Sequence, residues 1–229
     1  MDDDAVLAEQ KRYYRARAPE YDDWWFRRGR YADDPPHVRE GWFADGAEVE
    51  QALDAFAPRG DVLELAGGTG LWTRHLVRHA EALTVVDASP ETLELNRARV
   101  GDARVEYIVA DVFVWQPPSA YDVCFFGFWL SHVPESRFDD FWEKVAASLG
   151  AGGRVFFVDS SHGDAIHTGR DRNGERETRT TADGREFEIV KRFREPDDLA
   201  SRLASLGWRF ALRRSANGHF LYGSGAAER

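Results

Sequence analysis

The chain has 229 residues and a formal net charge of −10 at pH 7. An acidic chain without a block of Lys or Arg repels polyanions, so we expect no nucleic-acid partner. No apolar run approaches the roughly 20 residues that cross a bilayer, and no signal-peptide pattern is present, so we expect a cytoplasmic protein without a membrane partner. The single cysteine, Cys124, excludes an internal disulfide and a zinc site, and its apolar neighbours predict that it is buried.

Apolar periodicity predicts a helical cap followed by alternating strands and helices. Within the first 57 residues, the best helical patterns cover 5–17 and 47–57. Further along, Ser89 is a natural N-cap before Pro90. Strands that are apolar on both faces indicate a parallel sheet covered by helices, in a doubly wound α/β fold. The central strands are predicted at 62–65, 83–86, 105–110, 121–126 and 154–159, and the helices between them at 71–80, 91–100 and 138–149.

A polar stretch, 160–194, interrupts this alternation and predicts a surface insertion or lid. Its second half, 178–181 and 186–193, has the pattern of an added β-hairpin. A metal cluster in the first half would need tighter spacing, so a solvated loop is favoured and no metal site is predicted. The residues concerned are Asp159, His162, Asp164 and His167.

The C-terminal part predicts a helix over 196–206 and then an antiparallel pair of strands. The strands, 208–214 and 219–222, are joined through Asn217-Gly218, which is the strongest short hairpin signal. We therefore expect one domain made of a cap, a ligand-binding core, an insertion, and a C-terminal helix with its hairpin. These parts cover 1–57, 58–159, 160–194 and 195–229.

The sharpest feature is the segment 64–70, Glu-Leu-Ala-Gly-Gly-Thr-Gly, between a predicted strand and a predicted helix. Glycines let the backbone turn tightly and approach a ligand at the helix N-terminus, where free N–H groups attract negative charge. A glycine cluster alone is equally compatible with an ordinary loop. Its meaning therefore depends on the residues that accompany it.

Two acidic residues end the next two predicted strands. Asp87 lies 23 residues after Glu64, and Asp111 lies 24 residues after Asp87. In a parallel sheet these strand ends share one edge, where ligands bind at the topological switch point. One acid there can accept both hydroxyls of a ribose, and the other can accept an exocyclic amine. Each acid alone is more easily explained as an N-cap or a solvated turn residue, but the three in register predict a nucleoside-shaped slot.

This pattern resembles the class I S-adenosylmethionine-dependent methyltransferases over nearly the whole of 62–222. Their first motif, acid-x-Gly-x-Gly-x-Gly, matches Glu64, Gly68 and Gly70, with Ala66 where the first glycine is usual. The resemblance implies a seven-stranded sheet with a C-terminal antiparallel hairpin. It also implies S-adenosyl-L-methionine as the cofactor, S-adenosyl-L-homocysteine as the product, and no metal.

By the same resemblance, Asp87 would hold the ribose hydroxyls, while Asp111 and the backbone of Val112 would read the adenine edge. The run 12–22 is similar to the N-terminal segment of small-molecule members, in which aromatic residues close the pocket. The resemblance implies that role for Tyr14 and Tyr21, although helix-packing tyrosines are an equal alternative. The implied cofactor-binding residues are Tyr14, Tyr21, Glu64, Ala66, Gly68, Gly70, Asp87, Ala88, Asp111, Val112, Phe113 and Gly127.

The segment 121–134 looks like the family's fourth motif, which borders the methyl group and the acceptor. His132 is our candidate catalytic base, because its ordinary pKa lies near neutrality, although a capping or core-packing role is an equal alternative. Aromatic residues here and near the N-terminus predict an apolar acceptor pocket, or else packing of the first helices on the sheet. The predicted substrate-binding residues are Trp24, Phe128, Trp129 and His132.

The expected function is methyl transfer to an oxygen, nitrogen or carbon of a small-molecule acceptor in specialised metabolism, by a monomer or homodimer. A non-catalytic sensor that binds the same nucleoside is the alternative from another class. A nicotinamide-dependent oxidoreductase is disfavoured, because Thr73 stands where Gly-x-Gly-x-x-Gly needs its third glycine. A protein or RNA acceptor is disfavoured as well, since no basic groove or peptide-binding module is recognisable.

Overall fold

The computed structural model describes residues 2–161 and 174–228. A seven-stranded sheet in the order β3-β2-β1-β4-β5-β9-β8 forms its centre, with five parallel strands and an antiparallel C-terminal pair. This confirms the predicted fold class. The strands of this sheet are β1 (Asp61–Leu65), β2 (Ala82–Asp87), β3 (Val105–Val109), β4 (Tyr121–Gly127), β5 (Leu149–Ser160), β8 (Trp208–Arg214) and β9 (Phe220–Ala227).

Helices cover both faces of the sheet, because its central strands are apolar on both sides. In β4, Val123 and Phe125 join one core cluster, while Cys124 and Phe126 join the other. Cys124 is buried, as predicted. The helices are α1 (Asp3–Arg17), α2 (Tyr21–Trp25), α3 (Pro36–Phe56), α4 (Thr73–Leu76), α5 (Pro90–Val100), α6 (Phe138–Ser148) and α7 (Pro196–Ser205).

Ser89 caps α5 as predicted, since its side chain accepts a hydrogen bond from the Thr92 N–H at 3.2 Å. The helix predicted over 71–80 is shorter in the structure and is limited to α4. Beyond it, the N–H groups of Arg78 and His79 donate to carbonyls three residues earlier, not four as in an α-helix. The helix predicted over 47–57 instead begins at Pro36, whose fixed φ suits a first helical position.

The fifth strand is longer than the prediction of 154–159. It begins at Leu149, which pairs with Tyr121 before the register shifts to pair Arg154 with Val123. Gly152, at φ +75°, lies inside that irregular stretch instead of ending the preceding helix. Leu149 therefore belongs to β5 and not to α6.

The predicted hairpin in the insertion is confirmed as β6 (Arg176–Thr180) paired with β7 (Glu186–Val190) in a separate two-stranded sheet. Helix α1 packs against this hairpin. The N–H groups of Glu188 and Val190 donate to Glu9 and Gln10 of α1 at 2.9 and 3.0 Å. The N-terminal helix and the insertion thus form one wall beside the carboxyl edge of the sheet.

None of the helices in the described part of the chain is long and apolar enough to cross a membrane. Across 2–161 and 174–228, no three His, Cys, Asp or Glu side chains are grouped to hold a metal ion. His162, Asp164 and His167, from the loosely spaced set considered above, lie outside the described residues.

Candidate active-site cleft

The loop after β1 turns tightly at the carboxyl edge of the sheet. Ala66, Gly68 and Gly70 have φ values of +54°, +51° and +86°, the left-handed region that suits glycine. The amide of Asn96 in α5 fixes the loop by donating to the carbonyls of Gly67 and Gly68, both at 3.3 Å. The loop is therefore held by its hydrogen bonds even where alanine replaces the usual glycine.

Glu64 lies beneath this loop, not on the surface of the cleft. It is 2% exposed, and the Thr73 hydroxyl donates to its Oε2 at 2.6 Å. Burial raises the pKa of Glu64 to about 8. Gly70 also lies outside the cleft lining, where it faces Asn96. These two predicted cofactor residues thus support the loop from behind.

Asp87 and Asp111 lie at one edge, as the spacing predicts. Asp87 accepts hydrogen bonds from the N–H groups of Gly68 and Ser89 at 2.9 and 2.8 Å, and burial raises its pKa. Asp111 accepts from the Phe113 N–H at 3.0 Å and pairs with Lys11 of α1 at 2.9 Å. Both carboxylates line a cleft between the sheet edge and α1.

This cleft encloses about 780 Å³ of empty space, part of it open to solvent. It brings together ten of the twelve predicted cofactor residues, all except Glu64 and Gly70. Its lining also includes residues that the sequence analysis did not single out. The full lining is Leu7, Gln10, Lys11, Tyr14, Tyr21, Ala66, Gly68, Asp87, Ala88, Ser89, Thr92, Asp111, Val112, Phe113, Gly127, Phe128, Trp129 and His132.

Two of the unpredicted residues, Leu7 and Lys11, share one face of α1 with the predicted Tyr14. Leu7, Lys11 and Tyr14 are spaced by four and three residues, which is the spacing of neighbours along a helix surface. Arg15 of the same helix donates to the Ala88 carbonyl at 3.0 Å. Helical periodicity could have identified this face once Tyr14 was assigned to the cleft.

His132 has hydrogen bonds at both ring nitrogens. Its Nδ1 lies 2.6 Å from the Val190 carbonyl, which can only accept, so Nδ1 carries the proton. Nε2 then accepts from the Tyr14 hydroxyl at 2.7 Å. Burial, together with nearby positive charge, lowers the pKa of His132 well below its usual range, so the ring is neutral. Burial also raises the pKa of Tyr14, so its phenol stays protonated.

A second pocket adjoins the cleft and encloses about 370 Å³ of empty space, including open solvent. Tyr14, Tyr21, Phe128 and His132 line both cavities. Among the predicted substrate residues, Trp129 lines only the cleft and Trp24 lines only the second pocket, where its ring meets that of Phe128 at 4.7 Å between centroids. The second pocket is lined by Tyr14, Arg17, Tyr21, Trp24, Tyr31, Phe128, His132, Ser160, Arg179 and Lys191.

Comparison with known proteins agrees with this geometry. A family described as a methyltransferase domain matches residues 62–153. A structure of DhpI in complex with SAH is 38% identical, covers 99% of this chain and 98% of its own, and superposes with a TM-score of 0.79. A second structure, DhpI with SAM and HEP, is 37% identical, covers 99% of this chain and 100% of its own, and has the same TM-score.

A curated relative, nodulation protein S of Rhizobium tropici, is 27% identical over 112 residues. That alignment covers 46% of this chain. It covers 47% of the relative, so the chain spans about half the length of that protein.

Proposed function

Since the chain belongs to the class I S-adenosylmethionine-dependent methyltransferases, we propose that it methylates a small molecule held in the second pocket beside His132. The observation that carries this proposal is the shared wall of the two cavities. A cofactor in the cleft and an acceptor in the second pocket would meet at Tyr14, Phe128 and His132. Membership of this family excludes the alternative of a nicotinamide-dependent oxidoreductase.

The residues of the cleft fit this cofactor. Asp87 and Asp111 present carboxylate oxygens at two points along the cleft, where they would hold the ribose and the adenine. Trp129 lines the same cleft with a buried indole N–H that has no partner in the described ranges, so a donor is available to a bound ligand. When bound, the cofactor supplies an electrophilic methyl group on a sulfonium.

The chain's own contribution is alignment and exclusion of water. Tyr21 and Phe128 form aromatic walls between the two cavities. His132 orients the Tyr14 hydroxyl, because its Nε2 is the acceptor of that hydrogen bond. A neutral imidazole with both nitrogens engaged suits such a positioning role better than removal of a proton from the acceptor.

The second pocket supports a small acceptor over a macromolecule. Its walls come from α1, the loop after β4, and the β6–β7 hairpin, which converge around one cavity. The DhpI complex contains HEP in addition to SAM, and binding of a second molecule by that relative supports the same division here.

The test combines calorimetry with a turnover assay. We expect S-adenosylmethionine to bind the purified protein with one site, and S-adenosylhomocysteine to be released in the presence of small acceptors. An Asp87→Asn/Asp111→Asn variant controls for contaminating activity and should lose both signals. Absence of cofactor binding would overturn the proposal, whereas binding without release across broad acceptor classes would favour the sensor.

The positioning role of His132 is tested in the same assay. His132→Ala should lower kcat while the Kd for cofactor changes less than threefold, because the hydroxyl of Tyr14 loses its acceptor. In the wild-type protein, kcat should show no ionisation near pH 6.5 from this residue, since burial lowers its pKa well below that usual value. A kcat that rises through a pKa near 6.5 and loses that step in the variant would instead identify His132 as the base.

A further inference from the structure

Three basic side chains from distant parts of the chain converge on the second pocket. Arg17 ends α1, Arg179 lies in β6, and Lys191 follows β7. Arg17 is 7% exposed and Lys191 is 5% exposed. Among the described residues that line this pocket there is no carboxylate. The pocket is therefore a buried region of positive charge in a protein whose net charge is −10.

The three cations differ in how their charge is balanced. Lys191 donates to the hydroxyls of Ser131 and Ser160 at 2.9 and 3.2 Å and lies 3.7 Å from the carboxylate of Asp159. Arg179 lies 3.0 Å from the carboxylate of Glu177. Two of the cations thus have a carboxylate of the chain within ion-pair distance.

Arg17 has no such partner within residues 2–161 and 174–228. Its contacts are with the rings of Tyr13 and Tyr21, at 5.7 and 5.2 Å from the guanidinium carbon to the ring centroids. The Nε atoms of Arg17 and Arg179 are both buried without a hydrogen-bond partner in the same ranges. A guanidinium stays charged under all ordinary conditions, so burying it without an anion is costly.

The positive charge is not offset by the remaining polar groups of the pocket. His132 is neutral, and its pKa is lowered first by burial and then by Lys191, Arg179 and Arg17, so all three cations act on this ring. Tyr14 and Tyr21 are phenols whose pKa values are raised by burial, so neither supplies a negative charge. Within 2–161 and 174–228, the charge of Arg17 is therefore the one of the three that no carboxylate balances.

We propose that Arg17, Arg179 and Lys191 form a binding site for an oxyanionic group of the methyl acceptor, which is a carboxylate or a phosphate-like group. This inference rests on the proposed function, because it assigns the acceptor to the second pocket. Arginine presents a planar fork of donors that matches two oxygens of such a group. The Nε atoms of both arginines supply donors that the described residues leave unused.

The same charge selects against amine acceptors. An alkylammonium would enter a pocket whose described lining has three cations and no carboxylate, so its binding would be opposed. An oxygen of a bound oxyanion needs no base to accept a methyl group. The O–C bond forms as the C–S bond breaks, the electron pair of that bond stays on sulfur, and one negative charge of the oxyanion disappears together with the positive charge of the sulfonium. This agrees with a His132 that is neutral and fully hydrogen-bonded.

The direct test is anion binding to the protein saturated with S-adenosylhomocysteine. Sodium phosphate and sodium acetate are titrated separately at constant ionic strength set by sodium chloride. We expect at least one of them to bind saturably, with the dissociation constant raised at least tenfold in Arg17→Gln. Arg12→Gln is the matched control, because Arg12 is exposed on the same helix, and it should leave the constant within twofold. Which of the two binds distinguishes a carboxylate site from a phosphate-like site.

Cofactor affinity reports on folding of the variants, while anion binding and turnover report on the proposed site. Cofactor affinity in Arg17→Gln should stay within threefold of wild type, which shows that the variant is folded, and Arg179→Gln should reproduce the loss of anion binding. The turnover assay uses acids of the class that binds, which are carboxylic acids for an acetate site and phosphonic acids for a phosphate-like site. Each acid is compared with its own uncharged amide, and only the acids should release S-adenosylhomocysteine. The inference is overturned if neither anion binds the wild-type protein, if both bind Arg17→Gln equally well, or if the amides react as well as the acids. Failure of the cofactor to bind would instead overturn the proposed function.

Discussion

The cofactor cleft and the second pocket bury charges of opposite sign, and they neutralise them in different ways. Near the cleft, Glu64 keeps its proton because burial raises its pKa to about 8, and Asp87 receives N–H donors from neighbouring residues. In the second pocket, Arg17 cannot lose its charge and has no carboxylate partner among the described residues. An acid can be neutralised by the chain alone, whereas a buried guanidinium calls for an anion from outside.

The largest expected effect is the pH dependence of the free energy of unfolding that Glu64 contributes. Because its pKa is raised in the folded protein, the stability it confers is complete below pH 4.5 and is lost as the pH rises toward 8. Each pH unit in that window costs about 1.4 kcal/mol, so wild type should lose about 3 kcal/mol relative to Glu64→Gln between pH 5 and pH 7.5. Urea unfolding of both proteins without cofactor measures this difference. If the free energy of unfolding changed equally with pH in the two proteins, Glu64 would not be protonated in the folded state.

A second prediction concerns the backbone beneath the cleft, which has little freedom. Gly70 has φ +86°, and a Cβ there would lie 2.6 Å from Oδ1 and 3.1 Å from the Cα of Asn96. Gly70→Ala should therefore lower the free energy of unfolding by about 3 kcal/mol, from the left-handed backbone and from overpacking together. Gly101→Ala is the matched control, because Gly101 has φ +60° with open space around it, and it should cost only about 1 kcal/mol. If Gly70→Ala and Gly101→Ala lowered the free energy of unfolding equally, overpacking against Asn96 would contribute nothing.

The cofactor cleft and the second pocket also differ in how far the sequence could predict them. The cleft depends on the ends of consecutive strands, so a strand pattern and the spacing of Glu64, Asp87 and Asp111 were enough to place it. Even there, the ion pair of Lys11 with Asp111 was missed, because it joins residues far apart in the chain. The helix over 71–80 was overestimated, since periodicity does not reveal where hydrogen bonds shorten from four residues to three.

The positive charge of the second pocket had no signal in the sequence. Arg17, Arg179 and Lys191 belong to three elements, and only the packing of α1 on the β6–β7 hairpin brings them together. In the sequence they are indistinguishable from the many surface arginines and lysines. Trp24 and Phe128 were predicted to contact the acceptor from the aromatic pattern, and both line this pocket, but the sign of its charge required the tertiary structure.

A third prediction separates the two cavities by affinity. Asp87→Asn replaces a charged acceptor in the cleft by a neutral amide, so cofactor binding should weaken by about 1.5 to 2 kcal/mol, which is about tenfold to thirtyfold. Phosphate or acetate binding in the second pocket should stay within twofold, because Asp87 does not line it. Asp140→Asn, an exposed site on α6, is the control and should leave both constants unchanged. An equal loss at both cavities would mean that they are not independent.

The smallest expected effect concerns Ala66, the position where the sequence departs from the family motif. At φ +54°, alanine is less stable than glycine by about 1 kcal/mol in the folded state. Glycine, however, makes the unfolded chain more flexible, which destabilises the folded protein by roughly 0.4–1 kcal/mol. The two contributions nearly cancel. Ala66→Gly should therefore change the free energy of unfolding by less than about 0.5 kcal/mol and the cofactor Kd by less than threefold. Ala66→Val should lose about 2 kcal/mol or more, because a β-branched side chain is a true outlier at positive φ. If Ala66→Gly instead tightened cofactor binding tenfold, the departure from the motif would be a functional adjustment, and the hydrogen bonds from Asn96 would not be sufficient to shape the loop.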